Sequence, residues 1–263
     1  MLSRYLNIGD QPRHTHGWRK DRPDHRDVAF SAGLAGVLHA VQLPEAAALT
    51  GLPAIRDQLD LGSCVANATL EAYGFVAMRA GKPDPELSRL DLYFKTRVFE
   101  GTSPEEDAGC QIRDAMKVAA TQGVVTEASW PYDPGLYDVE PPESVLSEAK
   151  DHKVQFYYRL TSLRTIKASI VQGFPVVGGF SVPESISSAE TVSTGIVHFP
   201  NPSEGFVGGH AVLFVGYDDH AGLVKFQNSW GRGWGDHGFG YLDYRYFNDG
   251  LADDFWTIRR EMV

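Results

Sequence analysis

The chain has 263 residues, 43% of them hydrophobic, including 14 Phe, 11 Tyr and 5 Trp, enough apolar mass for one large domain or two lobes around a shared cleft and too much for disorder. A formal charge of −10 makes it a poor match for phosphate backbones and anionic membranes, so neither nucleic acid nor lipid is an expected partner. No apolar run approaches the roughly 20 residues of a membrane span, the opening MLSRYLNIGDQPRHTHGW lacks the apolar core of a secretion signal, and only two cysteines, Cys64 and Cys110, occur. The expected setting is reducing and cytoplasmic, with export by a route without a signal peptide left open.

Residues 1–40 read as an N-terminal extension. Its first 27 residues carry six basic and four acidic side chains, a net +2 that leaves −12 for the rest. A positive arm is drawn to such a body, and two readings stand side by side: a lid or short prosegment across the cleft, or a loose leader. Domain-like text runs over 41–263, with a helical lobe expected at about 50–135 and a β-rich lobe at about 136–250. SCVANATLEAYGFVAMRA, residues 63–80, predicts a helix that Ser63 can cap, because Ala66, Leu70, Tyr73 and Ala77 share one face of a 3.6-residue period. LSRLDLYFKTRVFE predicts a second helix, and IRDAMKVAATQG a third that ends at Gly123. PYDPGLYDVEPPE, 131–143, reads as a link. KVQFYYRL alternates like a strand, TIKASIVQG reads as one more helix, and PVVGGFSV, HAVLFVGY, LVKFQNSW and FGYLDY read as strands.

The chemistry concentrates at a few of these residues. Cys64 follows a Gly-Ser turn at the head of a predicted helix, where free N–H groups and the helix dipole favour a thiolate. Far along the chain, two strand-like runs flank the turn DDHAG as a hairpin would. A turn centred on Asp219 sets His210 opposite Asn228, and a slip of two residues keeps them on one face. An imidazole can then take the thiol proton, and a side-chain amide can fix the ring's orientation. Gln58 precedes Cys64 by six residues, and its NH2 can join the Cys64 N–H in stabilising an oxyanion.

Gln58, Gly-Ser-Cys64, Gly-His210-Ala and Asn228-Ser-Trp-Gly, in that order, resemble the papain family of cysteine peptidases. His210 and Asn228 lie 146 and 164 residues after Cys64, close to the family's spacing. The run QNSWGRGWGDHGFGYL is the most specific element, and the resemblance covers about 41–250. It implies an α+β, two-lobed fold, with a helical lobe carrying Cys64 and a β-barrel-like lobe carrying His210 and Asn228 across a cleft. It implies cysteine-type peptide hydrolysis through a thioester; endopeptidase action is the expectation, with exopeptidase action left open, and no cofactor is expected. Gly109, Cys110, Ala211 and Trp230 fall at substrate-contacting positions. The chain also departs from the family. Leu61 stands where a framework cysteine is usual, Val65 replaces an aromatic, and GCQIRDA lacks paired glycines, which predicts a narrower or differently shaped groove. Cys110 is either a structural thiol or a cleft residue that oxidation could join to Cys64.

Nothing in the chain matches a phosphate-binding loop, a GxSxG elbow or a zinc motif, so no metal is expected. The remaining histidines, His16 among them, read as surface or loop residues. The expected partner is a peptide or protein substrate, with the N-terminal segment as a possible cleft cover. Two other functions share the scaffold: a catalytically silent peptide-binding module, and a transglutaminase-like acyl transferase, which normally uses Asp where this chain has Asn228.

Overall fold

A computed structural model describes residues 15–30 and 42–259. The expected extension is therefore seen only in part, and its residues 1–14 and 31–40 lie outside the described range. Three helices come first: α1 Cys64–Arg79, α2 Arg89–Phe99 and α3 Ile112–Thr121. Each lies within a residue or two of its predicted span. Ser88 caps α2 by accepting from the Asp91 N–H, as N-cap serines do. Ser63, by contrast, makes no capping bond to α1. Its hydroxyl is taken by Tyr132 Oη at 2.7 Å and Asn67 Nδ2 at 3.1 Å. A fourth helix, α4 Leu163–Val171, starts on a capping box formed by Ser162 and Thr165.

Eight strands form one sheet: β1 Ala46–Ala48, β2 Phe156–Leu160, β3 Val176–Pro183, β4 Ile196–Val197, β5 Phe206–Asp218, β6 Leu223–Gln227, β7 Phe239–Asp243 and β8 Ala252–Arg259. Their order is β2-β8-β3-β5-β6-β7-β4, with β1 added on β5. Every pairing is antiparallel except β4 with β7. This is the α+β arrangement that the sequence pattern predicts. Three strands escape that pattern, one of them the two-residue β4. β1 is only three residues of alanine, and β8 is buried along nearly its whole length, so it lacks the polar alternation of a half-exposed strand.

β5 organises the interior. Ala211, Leu213 and Val215 face a core shared with α1, α2 and α3, while Val212 and Phe214 face a second core with Phe180, Phe226, Trp230 and Trp234. The two-residue strand period thus sends alternate side chains to opposite sides, and α1 packs directly on β5. The hairpin partner of β5 is β6, but Leu213 faces Gln227, two residues away from the register that sets His210 against Asn228, and a bulge between Phe214 and Gly216 shifts it further. A shift of two preserves the face.

Arg97 braces the loop between α2 and α3. It is fully buried, donates to the carbonyl of Glu106 at 2.7 Å and to those of Pro104 and Tyr137, and lies over the Tyr93 ring at 4.3 Å. Replacing it with Met keeps most of the volume and strips three carbonyls of their donors. Arg97→Met should lower unfolding stability by about 2–4 kcal/mol, read as a lower urea midpoint with an unchanged slope.

Candidate active site

Cys64 is the first residue of α1, so its position is set by the turn Leu61-Gly62-Ser63. It is fully buried, and its sulfur accepts from the Ala211 N–H at 3.5 Å, one residue past His210. His210 Nε2 lies 2.8 Å from Asn228 Oδ1. The same Oδ1 accepts from the Ser229 N–H at 2.9 Å. A backbone N–H can only donate, so this atom is the amide oxygen and the His210 Nε2 carries the proton. Nδ1 is then the basic nitrogen. Trp230 stacks on the imidazole with ring centres 4.5 Å apart and planes 26° from parallel, and Phe180 meets it edge-on.

Gln58 is also fully buried. Its backbone donates to Ser229 O at 2.8 Å and its Oε1 accepts from Ser229 Oγ at 2.7 Å. Those bonds leave Nε2 to donate to Leu61 O at 2.9 Å and to Thr15 O at 3.0 Å. The structure therefore brings Cys64, His210, Asn228 and Gln58 to one place from the α1 turn, β5, the end of β6 and the loop before α1.

That place is covered by residues 15–21. Gly17 O accepts from Cys110 N at 2.8 Å, Arg19 N donates to Cys110 O at 3.0 Å, and Trp18 N donates to Gly209 O at 2.9 Å. Cys110 thus uses both main-chain groups on the strap, and Gly209, one of the two glycines before His210, adds a third. The paired glycines absent from GCQIRDA are not needed for this pairing. Gly109 alone takes a positive φ of 66°, and a Cβ there would come within 2.0 Å of Gly17 O. Gly17 in turn has no room for a side chain, since a Cβ would fall 1.8 Å from Gly62 O. His16, expected at the surface, sits beside the site, with its ring 6.0 Å from that of His210 and 5.8 Å from that of Trp230. The sequence offered no periodic signal for this strap because its contacts run mainly through backbone.

Further along, the strap is anchored by charge. Asp21 accepts from the Arg113 N–H at 3.1 Å and from Trp256 Nε1 at 2.9 Å. Asp27 pairs with Arg113 at 2.8 Å and with Arg159 at 3.1 Å. Burial, with the neighbouring Asp254 adding to it, pushes the Asp21 carboxyl up to about 7.

The thiol also departs from the sequence expectation. A helix start lowers a thiol pKa, yet burial pushes Cys64 up to about 11, and the N–H groups of Ala211, Gly17 and Val65 offset this only in part. Desolvation under the strap outweighs the dipole. Cys110 is buried too, and its thiol is held well above the ordinary range by that burial. Both cysteines are free.

A profile described as papain family cysteine protease matches residues 45–253. An uncharacterized peptidase C1-like protein of Acanthamoeba polyphaga mimivirus is 35% identical over 274 residues, covering 92% of this chain and 86% of that protein. Xylellain, a cysteine protease from Xylella fastidiosa, superposes with a TM-score of 0.84 at 31% identity, covering 97% of this chain and all of that one. Digestive procathepsin L 3 of Tenebrio molitor, at 22% identity and a TM-score of 0.66, shares the fold over 84% of this chain and 72% of its own. The chain belongs to the papain family of cysteine proteases. Protein or peptide substrates follow from that membership, and among the described residues no helix is long and apolar enough to cross a membrane.

With the thiol at about 11, alkylation of Cys64 in the intact chain should climb about tenfold per pH unit between pH 7 and 9, following the thiolate fraction. Gly17→Val should force the strap off and raise the rate at pH 7 by at least about tenfold, as burial is relieved. Iodoacetamide labelling followed by intact mass and peptide mapping reads both.

Proposed function

We propose that this protein is a cysteine-type endopeptidase in which Cys64, His210, Asn228 and Gln58 carry the reaction. His210 Nδ1 takes the thiol proton as Cys64 Sγ attacks the substrate carbonyl carbon. The tetrahedral oxyanion is held by Gln58 Nε2 and the Cys64 N–H. His210 passes the proton to the leaving amine as the C–N bond breaks, and a thioester remains. Water, deprotonated by His210, then hydrolyses the thioester and restores the thiol. The observation that carries this reading is the 2.8 Å bond from His210 Nε2 to Asn228 Oδ1, which orients the ring and reserves Nδ1 as base. Gly109, Cys110, Ala211 and Trp230 are assigned to substrate contact: Gly109 and Cys110 through the backbone pairing that the strap now occupies, Ala211 through its N–H at the sulfur, and Trp230 as the wall over the imidazole. Asn228 in place of an Asp weighs against an acyl transferase of the transglutaminase type.

Residues 15–21 act in this reading as a cover that keeps the enzyme latent. Thr15 O occupies the Gln58 amide that the oxyanion needs. The Gly17 N–H, not a carbonyl carbon, is the strap group that bonds the Cys64 sulfur. A donor on the nucleophile gives it nothing to attack, so the strap is held and not cut. Two buried free thiols fit a reducing compartment such as the cytoplasm.

Hydrolysis of a fluorogenic peptide library should vanish in Cys64→Ala and His210→Ala, and Gln58→Ala should lose about 10²–10³ in kcat. Binding of the same peptides without turnover in the native chain and in strap-opened variants would favour a silent binding module. Trp18→Ala in the full chain should raise kcat/KM by at least about tenfold, since the indole's contacts hold the cover. An unchanged value would remove the cover from this account.

A further inference from the structure

Arg89 is the first residue of α2, a poor place for a cation, because the helix dipole presents its positive end there. Glu127 offsets the conflict by accepting from the Arg89 N–H at 3.1 Å and from Nη2 at 2.7 Å. The side chain is buried, and the rest of its guanidinium serves other segments. Nη1 donates to Asp57 O at 2.9 Å and to Asn67 Oδ1 at 3.2 Å. The group also lies over the Tyr132 ring, 3.7 Å from its centre. Each of these partners leads to the reacting groups.

The hydrogen bonds run in one direction. Gln58 O can only accept, so Tyr132 Oη donates to it at 2.8 Å. With that proton committed, Tyr132 Oη accepts from Ser63 Oγ at 2.7 Å. Ser63 Oγ accepts in turn from Asn67 Nδ2 at 3.1 Å, and Asn67 Oδ1 accepts from Arg89. The chain starts at a charge and ends on a carbonyl, and such chains strengthen each bond along them. Burial pushes the Tyr132 phenol up to about 12, so its proton is present throughout the neutral range.

Two carbonyls are fixed in this way, Asp57 O by Arg89 and Gln58 O by Tyr132. They belong to the peptide units on either side of the Gln58 Cα, so together they set that residue's backbone and the direction of its side chain. The next residue, Leu59, has a φ of 55°, a conformation that persists only where the surroundings impose it. Both cysteines are free, so no covalent brace does this. The Cys64 turn has a further hold of its own, since Gly62 N donates to Asp107 Oδ2 at 3.0 Å. Breaking the chain at Tyr132 therefore loosens Gln58 more than Cys64.

We infer that Arg89 and Tyr132 are positioning residues for the oxyanion site, holding the peptide units on both sides of Gln58 so that its Nε2 stays aimed once Thr15 O has left it. The inference rests on the peptidase reading and deepens it. Misplacing a reacting or stabilising group by about 1 Å can cost about a hundredfold in rate.

The test uses the full chain carrying Trp18→Ala, which opens the cleft. Tyr132→Phe keeps the ring under the guanidinium and removes only the hydroxyl. It should lower kcat for a fluorogenic peptide by about tenfold or more and leave KM within about twofold. A peptide aldehyde places its oxygen in the same hole: its carbonyl carbon takes the Cys64 sulfur and its oxygen the thiol proton. It should protect Cys64 from iodoacetamide about tenfold less well in Tyr132→Phe. Alkylation by iodoacetamide alone forms no oxyanion and should stay within about twofold. In a Gln58→Ala background, Tyr132→Phe should cost less than about twofold, because its effect passes through Gln58. An unchanged kcat, an equal slowing of alkylation, a loss confined to KM, or a full loss that persists in Gln58→Ala overturns the inference. Arg89→Lys keeps the charge but not the fork; it is the second variant should Tyr132→Phe fail to fold, and the same split is expected. A Trp18→Ala chain that captures the aldehyde but hydrolyses no peptide sinks the peptidase reading alone, and aldehyde protection then reads the variants. One that does neither sinks both.

Discussion

The start of α1 rests on β5, and the functional part of the molecule is arranged around that contact. Cys64 opens the helix, and its sulfur meets the Ala211 N–H at 3.5 Å. A helix start and the middle of a strand are both rigid, so neither partner of the contact wanders as a loop would. β5 sends Ala211 toward the helices and Val212 to the opposite core, so packing on two faces fixes the strand's rotation and therefore the place of His210. Asn228 comes from the end of the adjoining strand, and Ser229 ties it by two bonds to Gln58, which precedes the helix. The four side chains sit on one loop of structure that closes on itself.

The strap exploits the same frame. Its backbone passes where Gly17, Gly62 and Gly109 meet, a crossing with no space for a methyl group. Beyond it the hold changes from backbone to charge, with Arg113 and Arg159 gripping Asp27 and Arg159 also facing Asp21. Buried charge pairs of this kind contribute less to raw stability than to uniqueness of arrangement, because desolvation offsets much of their attraction. They suit a segment that must find one register on a surface and still be removable from it.

Much of the site was legible in the sequence because its parts are local. A cysteine after a Gly-Ser turn, and a histidine and an asparagine on hairpin strands, carry their geometry in spacing and period. The register error of two residues along β5 and β6 did no harm, since strand faces repeat every two. The strap was legible as a positive arm, either laid across the cleft or loose, but not in its detail: its fit depends on backbone and on glycines whose role appears when three distant segments meet. The thiol's acidity was misjudged because a helix dipole is a local quantity and desolvation is not.

The Val28 carbonyl accepts from Arg159 N at 2.9 Å on β2, and this edge contact lies well behind the cleft portion of the strap. If residues 15–21 lift while residues 22–30 stay docked, the lifted piece remains on a leash of a few residues. Its effective concentration at the cleft is then on the order of millimolar, far above that of any free peptide in dilute solution. Opening becomes a contest between a tethered ligand and a diffusing one, and the enzyme's response to substrate would rise with a threshold set by that leash. Cutting the leash once would abolish the threshold for the lifetime of the molecule.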